Sequence, residues 1–183
     1  MSSVPAKKTV FLDRDGTLII DKIYLNDPDQ IVYLPGVFEA LGRLRDAGYQ
    51  FIMVTNQSGV ARGIVSLENL EEIHRRMRVA FAEHGIEFRA IYYAPYAVDS
   101  NHPLRKPAPG MLLKGAEECE ADLKSSWMIG DRLSDVVAGH RAGCRSIPLT
   151  GVEQPDSAAA AEAQPEVVVD TLMQAADKIL SVS

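Results

Sequence analysis

Short, unbroken apolar runs alternate along the chain with longer stretches in which apolar residues recur every three or four positions. The first run, Thr9-Val10-Phe11-Leu12, ends abruptly at Asp13. A run of this length and β-branched content predicts a strand buried on both faces. Further strands are predicted at 49–55, 89–94, 126–130, 145–149 and 167–170. Helical periodicity predicts a helix over 35–48, where Val37, Leu41 and Leu44 share one face and Gly48 supplies the stop. A longer helix is predicted over 66–85, with Ser66 as N-cap and a stripe of Leu70, Ile73, Met77 and Phe81. Pro109 opens a helix over 109–121, and shorter helices follow at 134–142 and 171–180.

Strand and helix in alternation predict an α/β protein, a Rossmann-like three-layer fold with a mainly parallel sheet. The 183 residues suffice for one domain and are too few for two ordinary ones. Residues 1–8 are expected to be a flexible N-terminus, and the Ala-rich 154–166 a surface linker within the domain. A hydrophobic content of 46% excludes a disordered chain, and a formal charge of −6 argues against nucleic acid as partner. Cys119 and Cys144 form no C-x-x-C pair, which predicts a reducing, cytoplasmic setting. No apolar stretch has signal-peptide or membrane-spanning length. No unpaired apolar stripe argues against a monomer.

Ligands of parallel α/β sheets bind at the carboxyl ends of the strands. There the chain puts Asp13 and Asp15 after the first strand, Thr55-Asn56-Gln57-Ser58 after the second, Arg105-Lys106 beyond the third, and Asp131, Arg132 and Asp135 after the fourth. Each alone reads as a turn, a strand end or a solvated pair. Their convergence on one sheet edge is what points to chemistry. Period-two geometry turns Asp13 and Asp15 to one side of an extended segment, and Gly16 permits a sharp exit. Burying like charges together is costly, so something must make use of them.

The combination resembles the haloacid dehalogenase (HAD) superfamily of phosphotransferases, over residues 9–180. The matching motifs are "DRDGT" (13–17), Thr55, Lys106 and "GDRLSD" (130–135). The resemblance implies a phosphatase. Asp13 would be the nucleophile, forming an aspartyl-phosphate, and Asp15 the general acid and then base. Thr55 and Lys106 would hold the transferred phosphoryl group, with the Asn56 amide beside them. Mg²⁺ would be held by Asp13, the backbone carbonyl of Asp15, and Asp131. Asp135 is expected nearby, orienting the metal shell or Lys106. The short intervals 17–34 and 59–88 leave no room for a mobile cap, so a capless member is expected.

Within the superfamily, "FLDRDGTLI", "VTNQSGVARG" and "RKPAPGM" are similar to the branch of the heptose-bisphosphate and histidinol-phosphate phosphatases. That branch implies a small phosphorylated metabolite as partner, a heptose bisphosphate first and histidinol phosphate second. It implies substrate contacts from Asp21 to Tyr24, from Gln57 and Ser58, and from Arg105 and Arg132. A non-catalytic phosphate-binding module is the third reading, but degenerate members lose a motif aspartate and this chain keeps both. The branch usually carries a cysteine-rich zinc loop. Here Ala94, Tyr96, His102 and Leu104 stand at those positions, and one histidine cannot supply about four N/S ligands, so no structural zinc is expected.

Overall fold

A computed structural model describes residues 6–149 and 162–182. Its centre is a five-stranded parallel sheet in the order β3-β2-β1-β4-β5. The strands are β1 (Thr9–Leu12), β2 (Gln50–Asn56), β3 (Phe88–Ala94), β4 (Trp127–Gly130) and β5 (Arg145–Pro148). Strand β1 pairs in register with β2 from Thr9↔Gln50 and with β4 from Val10↔Trp127. All four of its residues are buried, as an unbroken apolar run in a central parallel strand requires.

Alternate residues of β1 feed two cores. Val10 and Leu12 pack on one face with α1 (Val37–Asp46), α3 (Leu67–Glu83) and α6 (Leu172–Ser181). Phe11 packs on the other with α4 (Gly110–Glu118) and α5 (Leu133–Ala142). The expected stripe of α3 is buried in full, and Ser66 caps the helix by accepting a hydrogen bond from Asn69 N at 3.1 Å. Each large apolar side chain so buried contributes about 1.5–3 kcal/mol.

Two features differ from the sequence expectation, and two expected segments fall partly outside the described residues. A short helix, α2 (Ser58–Ala61), follows β2 directly. Residues 167–170 form no strand: their exposure alternates, and they meet the sheet edge through one parallel bridge, Leu149↔Val169. Of the expected N-terminal tail, residues 1–5 lie outside the described residues, but Lys7 bridges to Ala121 and donates to Glu120 O at 2.8 Å. Of the expected linker, 154–161 lie outside them too. Its end is tied down by the Glu162–Arg141 ion pair at 2.6 Å.

The chain runs outward from β1 through β2 to β3, then returns to β1's other side at β4. The reversal lies between β1 and β4. Such a switch point opens a crevice at the carboxyl ends of the strands. Residues 17–34, which follow β1, fold over this edge through single bridges Asp15↔Ile19 and Ile19↔Tyr33 and a 3-10 turn at Pro28–Gln30. Neither this interval nor the one from β2 to β3 holds a further domain among the described residues.

Candidate active site

The crevice is built from strand ends. Asp13 follows β1 and stays tied to β4, its backbone N–H donating to Ile129 O at 2.9 Å. Asp131 follows β4, and Asp135 lies in the first turn of α5. One carboxylate oxygen from each of Asp13, Asp131 and Asp135 falls within 4.8 Å of the others. Burial raises the Asp13 pKa, Lys106 opposing it and Asp135 adding to it. The Asp131 carboxyl is pushed up to about 8, by burial first and then by the charges of Asp13 and Asp135.

Lys106 sits beneath this triad. Its Nζ donates to Asp13 Oδ1 at 2.7 Å, to Asp135 Oδ1 at 2.6 Å and to Val54 O at 2.8 Å. All three protons of the ammonium are thereby used. Burial works against the charge, but the two carboxylates outweigh it and raise the lysine pKa. Asp135 is the lysine's counter-ion and also a helix cap, since its Oδ2 accepts Arg132 N–H at 3.0 Å. Asp131 differs. Its Oδ1 is buried with no hydrogen-bond partner.

That orphaned oxygen is a test of metal fit. A buried carboxylate oxygen without a donor is costly. A divalent cation between Asp131 and Asp13 would satisfy it, and an all-oxygen donor set suits Mg²⁺. The backbone is shaped for the same approach. Gly16 holds φ at 76°, and a Cβ there would lie 2.1 Å from Asp131 Oδ2. The residues therefore fit the ion.

Asp15 is held differently. The buried Arg14 grips it with a fork, Nε to Oδ2 at 3.0 Å and Nη2 to Oδ1 at 3.1 Å. Gln57 Nε2 adds a bond to Oδ2 at 3.0 Å and also donates to Thr55 Oγ1 at 2.8 Å. Burial raises the Asp15 pKa, while Arg14 pulls it down. Arg14 in turn reaches His74 of α3, with Nη1 3.2 Å from His74 Nε2.

Some expected substrate residues are occupied within the protein. Asn56 clamps the Lys106 backbone, donating to its carbonyl at 2.9 Å and accepting its N–H at 3.0 Å. Gln57 is committed to Asp15, Thr55 and Arg14. Ser58 opens α2 beside them. On the rim, Arg132 pairs with Asp21 at 3.0 Å. Tyr24 accepts from Arg62 at 2.6 Å. Arg105 donates to Tyr96 O at 3.2 Å and has no acidic partner among the described residues. Burial, then the charge of Arg132, lowers the Arg105 pKa, so the two guanidinium groups are near enough to repel one another.

The loop from Ala94 to Leu104 is organised by stacking. The rings of Tyr96 and His102 lie 3.5 Å apart at 17°, and His102 Nδ1 accepts Leu104 N–H at 3.2 Å. Tyr96 and Leu104 pack on the α4–α5 core.

Sequence reasoning missed Arg14 and His74. Arg14 fills the variable place between the two aspartates, and His74 is one polar residue among many on α3. The detectable signal was that His74 falls one residue from Ile73 and three from Met77, on the buried side of the stripe.

Comparison with known proteins gives a consistent picture. The HAD-hydrolase-like family profile matches residues 103–175. The D-glycero-beta-D-manno-heptose-1,7-bisphosphate 7-phosphatase of Vibrio cholerae is 36% identical over 184 aligned positions, covering 97% of this chain and 98% of that protein. The enzyme of the same name from Pasteurella multocida is 38% identical over 155, covering 81% and 84%. The crystal structure of D,D-heptose 1,7-bisphosphate phosphatase from B. bronchiseptica, complexed with magnesium and phosphate, superposes with a TM-score of 0.83 at 33% identity, covering 96% of this chain and 99% of that one. With the motif residues gathered at the switch point of the matching sheet, the chain belongs to the HAD phosphatases, in the branch of the heptose bisphosphate phosphatases.

Proposed function

We propose that the protein is a Mg²⁺-dependent phosphatase that removes the C7 phosphate of D-glycero-D-manno-heptose 1,7-bisphosphate. It acts as a single capless domain, a monomer in the cytoplasm. The observation that carries the chemistry is the junction of Asp13, Lys106 and the unpartnered Asp131 oxygen at one switch point. Support for the substrate comes from the named activity of relatives that align over nearly the whole chain. The neighbouring cations Arg105 and Arg132 on the rim support a second phosphate rather than the amine of histidinol phosphate.

Asp13, Asp131 and the backbone carbonyl of Asp15 would hold Mg²⁺. When bound, it neutralises phosphoryl charge and offsets the repulsion between the carboxylates. Asp13 attacks phosphorus, and the bond from phosphorus to the ester oxygen breaks. Asp15 gives its proton to that leaving oxygen. The product alcohol departs, leaving an aspartyl-phosphate on Asp13. Water then attacks phosphorus, Asp15 takes its proton, and the bond to Asp13 breaks to release phosphate. Lys106 through its positive charge, and Thr55 through its hydroxyl, stabilise the phosphoryl oxygens throughout. Asn56 fixes the lysine backbone, and Gln57 fixes Asp15. Ser58, Asp21 and Tyr24 border the sugar.

Phosphate release, with and without Mg²⁺, from heptose 1,7-bisphosphate, heptose 7-phosphate and histidinol phosphate tests the reading. The bisphosphate should give the highest kcat/KM. Preference for histidinol phosphate would contradict it.

A further inference from the structure

The buried Arg14 has no place in the mechanism above, yet it makes more side-chain contacts to the acid–base residue than any other group. Its Nε and Nη2 grip both oxygens of Asp15. Nη2 also donates to Gln57 Oε1 at 3.2 Å. Nη1 points down to His74 Nε2. A guanidinium carries donors and no acceptor. His74 Nε2 must therefore accept, which places the ring proton on Nδ1. Burial, with the charges of Arg14 and Arg78, lowers the His74 pKa to about 3, and the ring stays neutral. Neutral imidazole at this place orients a cation without cancelling its charge.

The fork treats the two Asp15 oxygens unequally. Oδ2 receives two N–H donors, from Arg14 Nε and Gln57 Nε2. Oδ1 receives one, from Arg14 Nη2 at 3.1 Å, and this nitrogen also lies 3.0 Å from Oδ2. Two donors occupy the in-plane directions of one carboxylate oxygen. Oδ1 keeps a free lone pair, and the Asp15 side chain is 20% exposed.

Resting on the acid–base role proposed for Asp15, we infer that Arg14, seated on His74, is a positioning residue that fixes the Asp15 carboxylate so that Oδ1 alone exchanges the proton with the leaving group and the attacking water. Helix α3 thus reaches the chemistry through a chain of His74, Arg14 and Asp15. A lysine at position 14 keeps a positive charge but not the planar two-point grip.

The test separates the two chemical steps with Mg²⁺ present. For 4-nitrophenyl phosphate, the leaving nitrophenolate is stable without a proton, so cleavage depends weakly on Asp15. Hydrolysis of the aspartyl-phosphate still needs it as base. In Arg14→Lys, nitrophenolate release in the first turnover should fall less than about threefold, while steady-state turnover falls about 10- to 100-fold. A burst of nitrophenolate, close to one per enzyme, should follow. With heptose 1,7-bisphosphate, kcat should fall by the larger factor and KM stay within about twofold. His74→Leu, which removes the acceptor, should behave like Arg14→Lys. His74→Gln restores an acceptor oxygen and should recover most of the rate. If Arg14→Lys does not fold, the two His74 variants decide.

Asp15→Asn in the same assay is the control on the underlying reading. If it shows neither burst nor loss of steady-state turnover, the acid–base role of Asp15 is wrong. If Asp15→Asn shows the burst while Arg14→Lys slows both steps equally, or while His74→Leu matches wild type, the role of Asp15 stands and the positioning by Arg14 and His74 is overturned.

Discussion

Lys106 Nζ lies 2.6 Å from Asp135 Oδ1, and both side chains are 2% exposed. An ammonium buried this deeply depends on its counter-ions. Asp13 supplies the other at 2.7 Å, but Asp13 is also the nucleophile proposed here. Asp135 is therefore the permanent partner, and its charge lets Asp13 change state in turnover without stranding the lysine.

Removing that partner should show in stability first. Asp135→Ala leaves Lys106 with one carboxylate and uncaps α5 at Arg132 N. The expected loss is about 3–5 kcal/mol. Urea unfolding of the metal-free protein measures it, and a loss under about 1 kcal/mol would show that Asp135 is not the lysine's main counter-ion.

Magnesium affinity should depend on pH with a known sign. In the metal-free protein burial, then the charges of Asp13 and Asp135, push the Asp131 carboxyl up to about 8. Below that pH the ion must displace a proton, so apparent affinity rises as pH rises, about tenfold from pH 6 to pH 7. Calorimetric titration at the two values checks this. Asp131→Asn should abolish binding, and Gly16→Ala, whose Cβ would meet Asp131 Oδ2, should weaken it. Equal affinity at both pH values would contradict the assignment of Asp131.

His74 predicts a stability slope in acid. Its folded pKa of about 3 lies below the ordinary 6.5. Between those values the unfolded chain binds more protons, so the contribution of the neutral ring, complete above pH 6.5, is lost as pH falls toward 3. The slope is about 1.4 kcal/mol per pH unit. His74→Gln cannot titrate, so the stability gap between it and wild type should shift in the variant's favour from pH 6 to pH 4. A constant gap would mean that His74 is protonated in the folded protein.

Arg105 and Lys106 should part company on substrates. Arg105→Ala should lower kcat/KM on the bisphosphate by about 10- to 150-fold, the worth of a charged hydrogen bond. An aryl phosphate, which has no second phosphate, should be affected far less. Lys106→Ala should damage both alike. Equal losses on the two substrates in Arg105→Ala would assign Arg105 to the phosphoryl site instead.

The strands β1, β2 and β4, which deliver Asp13, Thr55 and Asp131, were legible because unbroken apolar runs stop at polar residues. So was the cap at Ser66, which is a local signal. Residues 167–170 were not, since an apolar triplet reads as strand whether or not an edge is free to pair with more than Val169. The motif carboxylates showed themselves by spacing, but the division of labour did not. Asp131 is left open and Asp135 is committed to Lys106 because of where β4 ends and α5 begins. Arg14 and His74 stand 60 positions apart, and only the packing of α3 joins them. The zinc-loop positions were readable as lacking cysteines. That Tyr96 and His102 would stack there was not.

In the mechanism proposed, Asp13 carries out Mg²⁺-dependent removal of one particular phosphate. Phosphorus NMR of D-glycero-D-manno-heptose 1,7-bisphosphate follows both phosphates at once. With Mg²⁺, the C7 resonance should give way to inorganic phosphate while the C1 resonance persists, and Asp13→Asn should leave both unchanged. Loss of the C1 phosphate first, or turnover by a chemically verified Asp13→Asn protein, would contradict the account.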